Sequence, residues 1–298
     1  MHPETPLSMG NPKDSLVGAP STVIKLSSQQ QIDLHRVQIE LVAEFRRVCE
    51  KHSLKFFALY GTLLGAVRHQ GFIPWDDDVD LGMLRADYEK LLDVVKLDLS
   101  EKYFFQTFAS DEHYASPLGK LRKNKTVFHE RTSGLGGQHR GIFIDVFPLD
   151  TKPTKKWQQV LQQRSTYVLK RLLMIKGGYE IGAGGGGVRR TTRLLAGAMS
   201  KLLPRPLLVG LLNHQMSRRN GCPAVKYISV SGPYSYDRET LDARWVNELV
   251  ELPFEHTTIP AFRDAHSYLT RIYGDYMILP PKSDRIGHHD LVKLDFGS

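Results

Sequence analysis

Residues 71–83 read GFIPWDDDVDLGM. Four aspartates, Asp76, Asp77, Asp78 and Asp80, fall within five positions, beside core-forming Trp75, Val79 and Leu81. Like charges this close repel one another and resist burial. A fold that buries Val79 and Leu81 must therefore hold the carboxylates at a rim and neutralise them there. In an extended chain, residues i, i+2 and i+4 share a face. Extended through 76–81, the chain sends Asp76, Asp78 and Asp80 one way and Asp77, Val79 and Leu81 the other. Converging carboxylates suit a hard divalent cation with oxygen ligands, Mg²⁺ or Mn²⁺. The competing reading is a solvated acidic turn after Pro74, and the alternation with Val79 and Leu81 argues against it. A calcium loop fails on spacing. It needs Gly after the third acid and Glu at its twelfth position, where this chain has Leu81 and Asp87.

Two other stretches extend the idea. In GIFIDVFPLD (141–150), Asp145 sits inside an apolar strand, sharing a face with Phe143 and Phe147. A lone acid there needs either a salt bridge or a metal shared with the aspartate run. Two-metal phosphoryl transfer uses such a set of carboxylates. In YGTLLGAVRH (60–69), Gly61 allows close backbone approach to a ligand, and Thr62 is placed to cap a helix whose N–H groups face an anion. Arg68 follows two turns on. Lys120 and Arg122 alternate on an expected strand, as a phosphate clamp or as an ordinary basic face. His139 reads as surface.

Periodicity predicts an amphipathic helix over 28–52, from Leu34, Val37, Leu41, Phe45 and Val48. Strands are expected at 55–60, 78–83, 102–108 and 141–149, and helices at 62–69 and 86–97, so the first 150 residues read as a mixed α/β unit. Beyond Asp150, residues 155–176 and 191–219 are helical in pattern, separated by the glycine-rich, flexible 177–187. Residues 1–22, rich in Pro, Ser and Gly, read as a disordered tail and not as a signal peptide. No apolar run is long enough to span a membrane. Two cysteines, Cys49 and Cys222, give neither a disulfide framework nor a zinc site. The net charge of +8 points to an anionic partner without choosing among phosphate, nucleic acid and membrane.

The stretch YGTLLGAVRHQGFIPWDDDVDLGM resembles the signature of the LicD family. The likeness continues through KLRKNKT (120–126), GIFIDVFPLD (141–150) and YLTRIYGDYMILPP (268–281). That family is similar to the nucleotidyltransferases, with a Gly-Ser/Thr turn, paired acids on a strand and a third acid on a later strand. The resemblance implies an α+β fold: a nucleotidyltransferase-like mixed sheet flanked by helices, with a mainly helical C-terminal half. It implies a catalytic core over 23–150 and a helical, mixed region over 151–298 completing the substrate site. It further implies transfer of a phospho-substituent, typically phosphocholine from CDP-choline, to a sugar hydroxyl of a cell-surface glycan: lipopolysaccharide, teichoic acid or capsule. Eukaryotic relatives resembling fukutin-related protein transfer ribitol phosphate, but their cysteine zinc site cannot form here.

On this reading Asp76, Asp78, Asp80 and Asp145 bind one or two Mg²⁺ or Mn²⁺. Asp78, Asp80 and Asp145 are catalytic, and Asp80 or Asp145 takes the hydroxyl proton. Gly61, Thr62, Arg68, Lys120 and Arg122 hold the donor phosphates. The location expected is cytoplasmic, with peripheral contact at the inner face of the membrane open through the basic, Leu-rich 189–219. Tyr273, Tyr276 and Trp245 are candidates for an aromatic cage, with a plain core role the commoner alternative. His288 and His289 remain without a role. Two rival readings stand: a nucleotidyltransferase that adds NMP from NTP to a small molecule, and a non-enzymatic nucleic-acid binder. The second lacks any recognised nucleic-acid motif.

Overall fold

The computed structural model describes residues 23–131, 137–179 and 196–297. The 1–22 tail and residues 180–195, which hold most of the glycine stretch, lie outside them.

Helix α1 (Ser28–Lys51) starts at a capping box. Ser27 Oγ accepts the Gln30 N–H at 3.2 Å, and Gln30 Oε1 accepts the Ser27 N–H at 2.9 Å. Its five predicted apolar positions are all buried. The chain then forms β1 (Phe57–Ala58), α2 (Tyr60–His69), β2 (Asp80–Leu84), α3 (Arg85–Asp98), β3 (Tyr103–Gln106), β4 (Gly119–Lys123), β5 (Val127–Glu130) and β6 (Phe143–Thr151). In the sheet the order is β1-β2-β6-β4-β3. Strand β2 runs parallel to β6, and the other neighbours along this path are antiparallel. Every residue of β6 is buried. That accounts for its nearly unbroken apolar sequence: both faces of this interior strand are covered. The architecture is α+β, a mixed sheet flanked by helices.

Downstream come α4 (Lys156–Lys176), a helical 196–202, α5 (Arg205–Ser217), β7 (Lys226–Ile228), β8 (Thr240–Asp242) and α6 (Ala243–Asn247). A hairpin of β9 (Leu249–Phe254) and β10 (Thr257–Phe262), then α7 (Ala265–Tyr273) and β11 (Leu291–Asp295), complete the chain. The main core joins α1 and the sheet to Trp245, Ile259, Tyr268 and Leu291, so it draws on residues either side of Asp150. A smaller core of Leu172, Leu173, Leu208, Leu212, Met216 and Ile228 lies between α4, α5 and β7. Strand β11 pairs with β5 and brings the C-terminal segment back beside the aspartates. None of the described helices is long and apolar enough to cross a membrane.

Three local expectations need correction. The second strand begins at Asp80, not Asp78, because the carbonyls of Asp76 and Asp77 are bonded by side chains of α1 and not by a neighbouring strand. The first strand is only two residues long. It ends where Tyr60, at φ +40°, turns the chain into α2. The helix expected over 191–219 breaks at Leu203–Pro204, since proline ends one helix and favours the start of the next.

Candidate active site

The register of three strands builds the centre of the site. On the parallel pair β2–β6, Asp80 lies directly opposite Asp145. On the antiparallel pair β4–β6, Lys120 lies opposite the same Asp145. Two carboxylates and an ammonium thus share one row across the sheet. Lys120 Nζ stands 2.7 Å from Asp145 Oδ1 and 3.0 Å from Oδ2, and 3.4 Å from the centre of the Phe143 ring. The salt bridge that was the alternative to a shared metal for Asp145 is therefore present, alongside its aspartate neighbours.

Asp76, Asp77 and Asp78 precede β2 in a loop. Three polar side chains of α1 hold it: Gln31 Nε2 donates to the Asp76 carbonyl at 2.5 Å, His35 Nε2 lies 2.8 Å from that carbonyl, and Gln38 Nε2 donates to the Asp77 carbonyl at 2.8 Å. Sequence reasoning missed these three, although a signal existed. Gln31 and Gln38 interrupt the stripe Gln31-Leu34-Gln38-Leu41-Phe45, and a polar residue on a buried stripe needs a partner. The extended-chain argument set Asp77 apart from Asp76, Asp78 and Asp80. In the structure Asp77 is held in a clasp. Its carboxylate accepts the backbone N–H groups of His288 (3.1 Å) and His289 (3.2 Å), with His289 Nδ1 at 3.0 Å. His289 Nε2 lies 3.5 Å from Glu130 on β5. Held between two carboxylates, His289 titrates well above the ordinary histidine range despite burial. His288 is exposed, its Nε2 3.8 Å from Asp76 Oδ1.

The remaining aspartates are pushed the other way. Burial, then the neighbouring Asp77 charge, raise Asp76 to about 7. Burial and Asp76 raise Asp78 to about 8. Burial, then Asp78 and Asp145, raise Asp80 well above the carboxylate range, with Lys120 opposing. One atom is diagnostic. Asp76 Oδ1 is buried and has no hydrogen-bond partner among the described residues. An orphaned carboxylate oxygen among mutually repelling acids fits a hard divalent cation. Asp77, Asp78 and His289 also place potential ligand atoms within 4.8 Å of one another, but the Asp77 carboxylate is already committed to the clasp.

The other predicted residues divide. Gly61 lies against the site: a Cβ there would stand 2.6 Å from Asp76 Oδ2. Thr62 does not cap α2, whose N-cap is Leu59. Instead Thr62 Oγ1 accepts the Asp80 N–H at 2.8 Å and fixes the start of β2. Arg68 lies seven residues beyond Gly61, about 10 Å along the helix. It donates to the Tyr276 carbonyl at 2.8 Å and, through Nε, to His69 at 3.0 Å. Arg122 is buried, bonded to Gln106 Oε1 at 2.5 Å and the Gly141 carbonyl at 2.7 Å. The structure thus gives Lys120, Arg122 and Arg68 protein partners in the places where phosphate contacts were expected.

His139, expected at the surface, is half-buried. It stacks on Phe104, sits 2.8 Å from Asn124 Oδ1, and is pushed down to about 4 by burial and the nearby Arg122. Among the described residues, the three aromatics proposed as a cage each pair with other rings and not with one another. Trp245 packs on Phe262 and Tyr268, Tyr273 on Tyr234, and Tyr276 on His266. A buried acid that the sequence did not flag, Glu239, accepts the Tyr60 hydroxyl and the Tyr234 N–H and is raised by burial to about 7.

Asp80 and Asp145 on their paired strands, and Gly61 and Thr62 in the first turn of α2, lie in the stretches that carry the resemblance. The profile of the family described as LicD/FKTN/FKRP, nucleotidyltransferase domain, matches residues 53–173. Over that stretch the chain is similar to the LicD family. Lipopolysaccharide cholinephosphotransferase LicD of Haemophilus influenzae is 27% identical over 264 residues, covering 85% of this chain and 93% of that protein. Uncharacterized proteins of Rickettsia prowazekii and Rickettsia typhi are each 38% identical over 63 residues, 21% of this chain. The match spans α2 and the aspartate loop, β2 and β6, the last three of which carry the acids.

Proposed function

We propose that this protein is a transferase that moves phosphocholine from CDP-choline to a sugar hydroxyl of a lipopolysaccharide-type glycan, using Mg²⁺ or Mn²⁺ held by Asp76, Asp78, Asp80 and Asp145. The observation that carries the reading is the pairing of Asp80 with Asp145 beside the unbonded Asp76 Oδ1. The nature of the transferred group rests on the name of the Haemophilus relative, which aligns over nearly its whole length. A bound cation would neutralise the donor diphosphate and the charge that builds on it in the transition state.

The chain's own residues do the positioning. Thr62 fixes the backbone of Asp80, Lys120 orients Asp145, and α1 with the His289 clasp holds the loop of Asp76 and Asp78. Gly61 leaves room for the Asp76 carboxylate. In the reaction the acceptor oxygen forms a bond to the phosphorus of phosphocholine, and the bond from that phosphorus to CMP breaks. The hydroxyl proton passes to Asp80 or Asp145, and CMP leaves carrying the electron pair. Most of the acceleration comes from alignment and fixed charge. The chemistry is assigned to the cytoplasm, where CDP-linked donors and a reduced Cys49 and Cys222 are compatible.

The test is donor turnover. The protein is incubated with Mg²⁺ and CDP-choline, CDP-ribitol, CDP-glycerol, CTP or ATP, with lipopolysaccharide, teichoic acid or capsule extracts as acceptors. An Asp78→Ala/Asp80→Ala variant runs alongside. CMP release from CDP-choline that EDTA and the variant abolish is the expected result. CMP from another CDP-linked donor would replace the headgroup, and pyrophosphate from CTP or ATP would replace the reaction with nucleotidyl transfer.

A further inference from the structure

Helix α4 is amphipathic the wrong way round in its first three turns. The inward positions are Gln158, Gln162 and Thr166, all buried. The outward positions include Trp157 (62% exposed), Leu161 (45%) and Val168 (49%). Two of the inward residues are bonded, so the helix is not merely rotated: Thr166 Oγ1 donates to the Gln162 carbonyl at 2.7 Å. Gln162 Nε2 donates to the Gln215 and Met216 carbonyls, each at 3.2 Å, and Gln162 Oε1 accepts the Tyr236 hydroxyl at 2.5 Å. On the neighbouring helix, Leu208, Leu212 and Met216 fill the small core while Leu207 and Leu211 stay exposed. Between the two helices runs an open apolar groove of about 440 Å³, lined by Leu161, Val168, Leu169 and Leu211 with Arg164 among them. An exposed apolar face of this kind normally marks an interaction surface.

Charge identifies the partner. Residues 151–236 hold fifteen Lys and Arg and a single acid, Glu180, while the rest of the chain holds 25 basic and 31 acidic residues. Neither α4 nor α5 contains an Asp or Glu, and Lys156, Arg164 and Arg171 are exposed on α4 beside the apolar residues. A second copy of this chain would bring two such basic faces together and be repelled. Nucleic acid would use the charge but leave the Leu and Val side chains in water. An anionic bilayer takes both. Apolar side chains enter the acyl boundary, basic ones meet the headgroups, and a tryptophan lies at the interface. We propose that the outer face of α4 and α5 seats on an anionic lipid bilayer. The sequence suggested membrane contact through residues 189–219; the structure moves its centre to α4, which the sequence reading had left as an ordinary helix.

The proposal does not depend on the donor or acceptor, and neither does its test. The full chain is floated with vesicles of equal parts phosphatidylcholine and phosphatidylglycerol, and with pure phosphatidylcholine. Each exposed basic residue near an anionic surface tightens binding about fivefold, so anionic vesicles should bind at least ~10-fold more tightly, and less so at high salt. Leu161→Gln/Val168→Gln and, separately, Arg164→Glu/Arg171→Glu should each weaken binding ~10-fold or more. Both should leave the melting transition and turnover with a soluble acceptor unchanged. Binding should shift Trp157 emission to the blue, a signal that Trp157→Phe removes while retaining affinity. No flotation, or flotation unaltered in folded variants, overturns the proposal. So does a dimer in light scattering that the apolar variant dissolves, which would make the face a contact between copies. Tight duplex binding that ignores the apolar substitutions, with no vesicle binding, would assign the face to nucleic acid instead.

Discussion

Gly61→Ala separates what the site needs from what the fold needs. Gly61 lies in the first turn of α2, and it is not among the residues with positive φ, so the helix itself accepts an alanine there. Helix propensity alone predicts a gain of ~0.5–1 kcal/mol. The new Cβ, however, would stand 2.6 Å from Asp76 Oδ2, where ordinary contact begins at 3.4 Å. The carboxylate must retreat by about 0.8 Å, or α2 must move, and Asp76 is buried with little room to do so. A misplacement near 1 Å at a reacting centre costs on the order of 10²-fold in rate. That corresponds to ~2.7 kcal/mol of transition-state stabilisation. The variant should therefore melt at or above the parent temperature, bind Mn²⁺ more weakly by isothermal titration, and release CMP from CDP-choline about 10²-fold more slowly. Parent-level Mn²⁺ affinity and turnover in a fully folded variant would refute the claim that the Asp76 carboxylate must sit where it does.

Three further outcomes follow from the same geometry. Asp145→Ala strands the buried Lys120 ammonium and should cost ~3 kcal/mol in urea unfolding, while adding Lys120→Met should restore most of it; purely additive losses would deny the coupling. Arg85 holds the fully buried Asp150 by bonds of 2.8 and 2.7 Å, with Asn220 Nδ2 as its other partner at 2.7 Å. Arg85→Met should destabilise by ~3–5 kcal/mol. Turnover per folded molecule should change less than about twofold, because Asp150 lies about 17 Å along β6 from Asp145. Without metal, folded Asp76 and Asp78 hold their protons to about pH 7 and 8, whereas the unfolded chain releases them near 3.8. Across that window the folded state binds more protons, so these two groups lower stability as pH rises. In EDTA the protein should melt lower at about pH 8 than at about pH 5.5, and Mg²⁺ should raise the melting temperature more at the higher pH. A Mg²⁺ shift that is equal at both would remove the carboxylates from the binding site.

The legible part of this protein was the part governed by short-range pattern. The spacing in α1, the apolar run of β6 and the acids in GFIPWDDDVDLGM were enough to place the helix, the interior strand and the cluster of carboxylates. Local chemistry sets these: periodicity decides which side chains share a face, and like charges packed together demand a counterion. The motif also carries the resemblance, since Gly61, Asp78, Asp80 and Asp145 all lie within residues 53–173, the stretch that the family profile matches.

What tertiary structure decided were the partners. Nothing near residue 77 announces that its carboxylate is held by the backbone of residues 288 and 289, more than two hundred positions away. Nor does spacing reveal that Lys120, opposite Asp145, is spent on an ion pair, or that Arg68 and Arg122 serve carbonyls. A basic side chain next to a motif can meet a phosphate or a protein oxygen equally well, and only strand register and packing choose. The same holds for α4. Its composition permits a core helix, but the fold turns Gln158, Gln162 and Thr166 inward and leaves Trp157, Leu161 and Val168 in solvent. Periodicity fixes which residues lie together on a helix. Which of its faces meets the core depends on what the remainder of the chain places beside it.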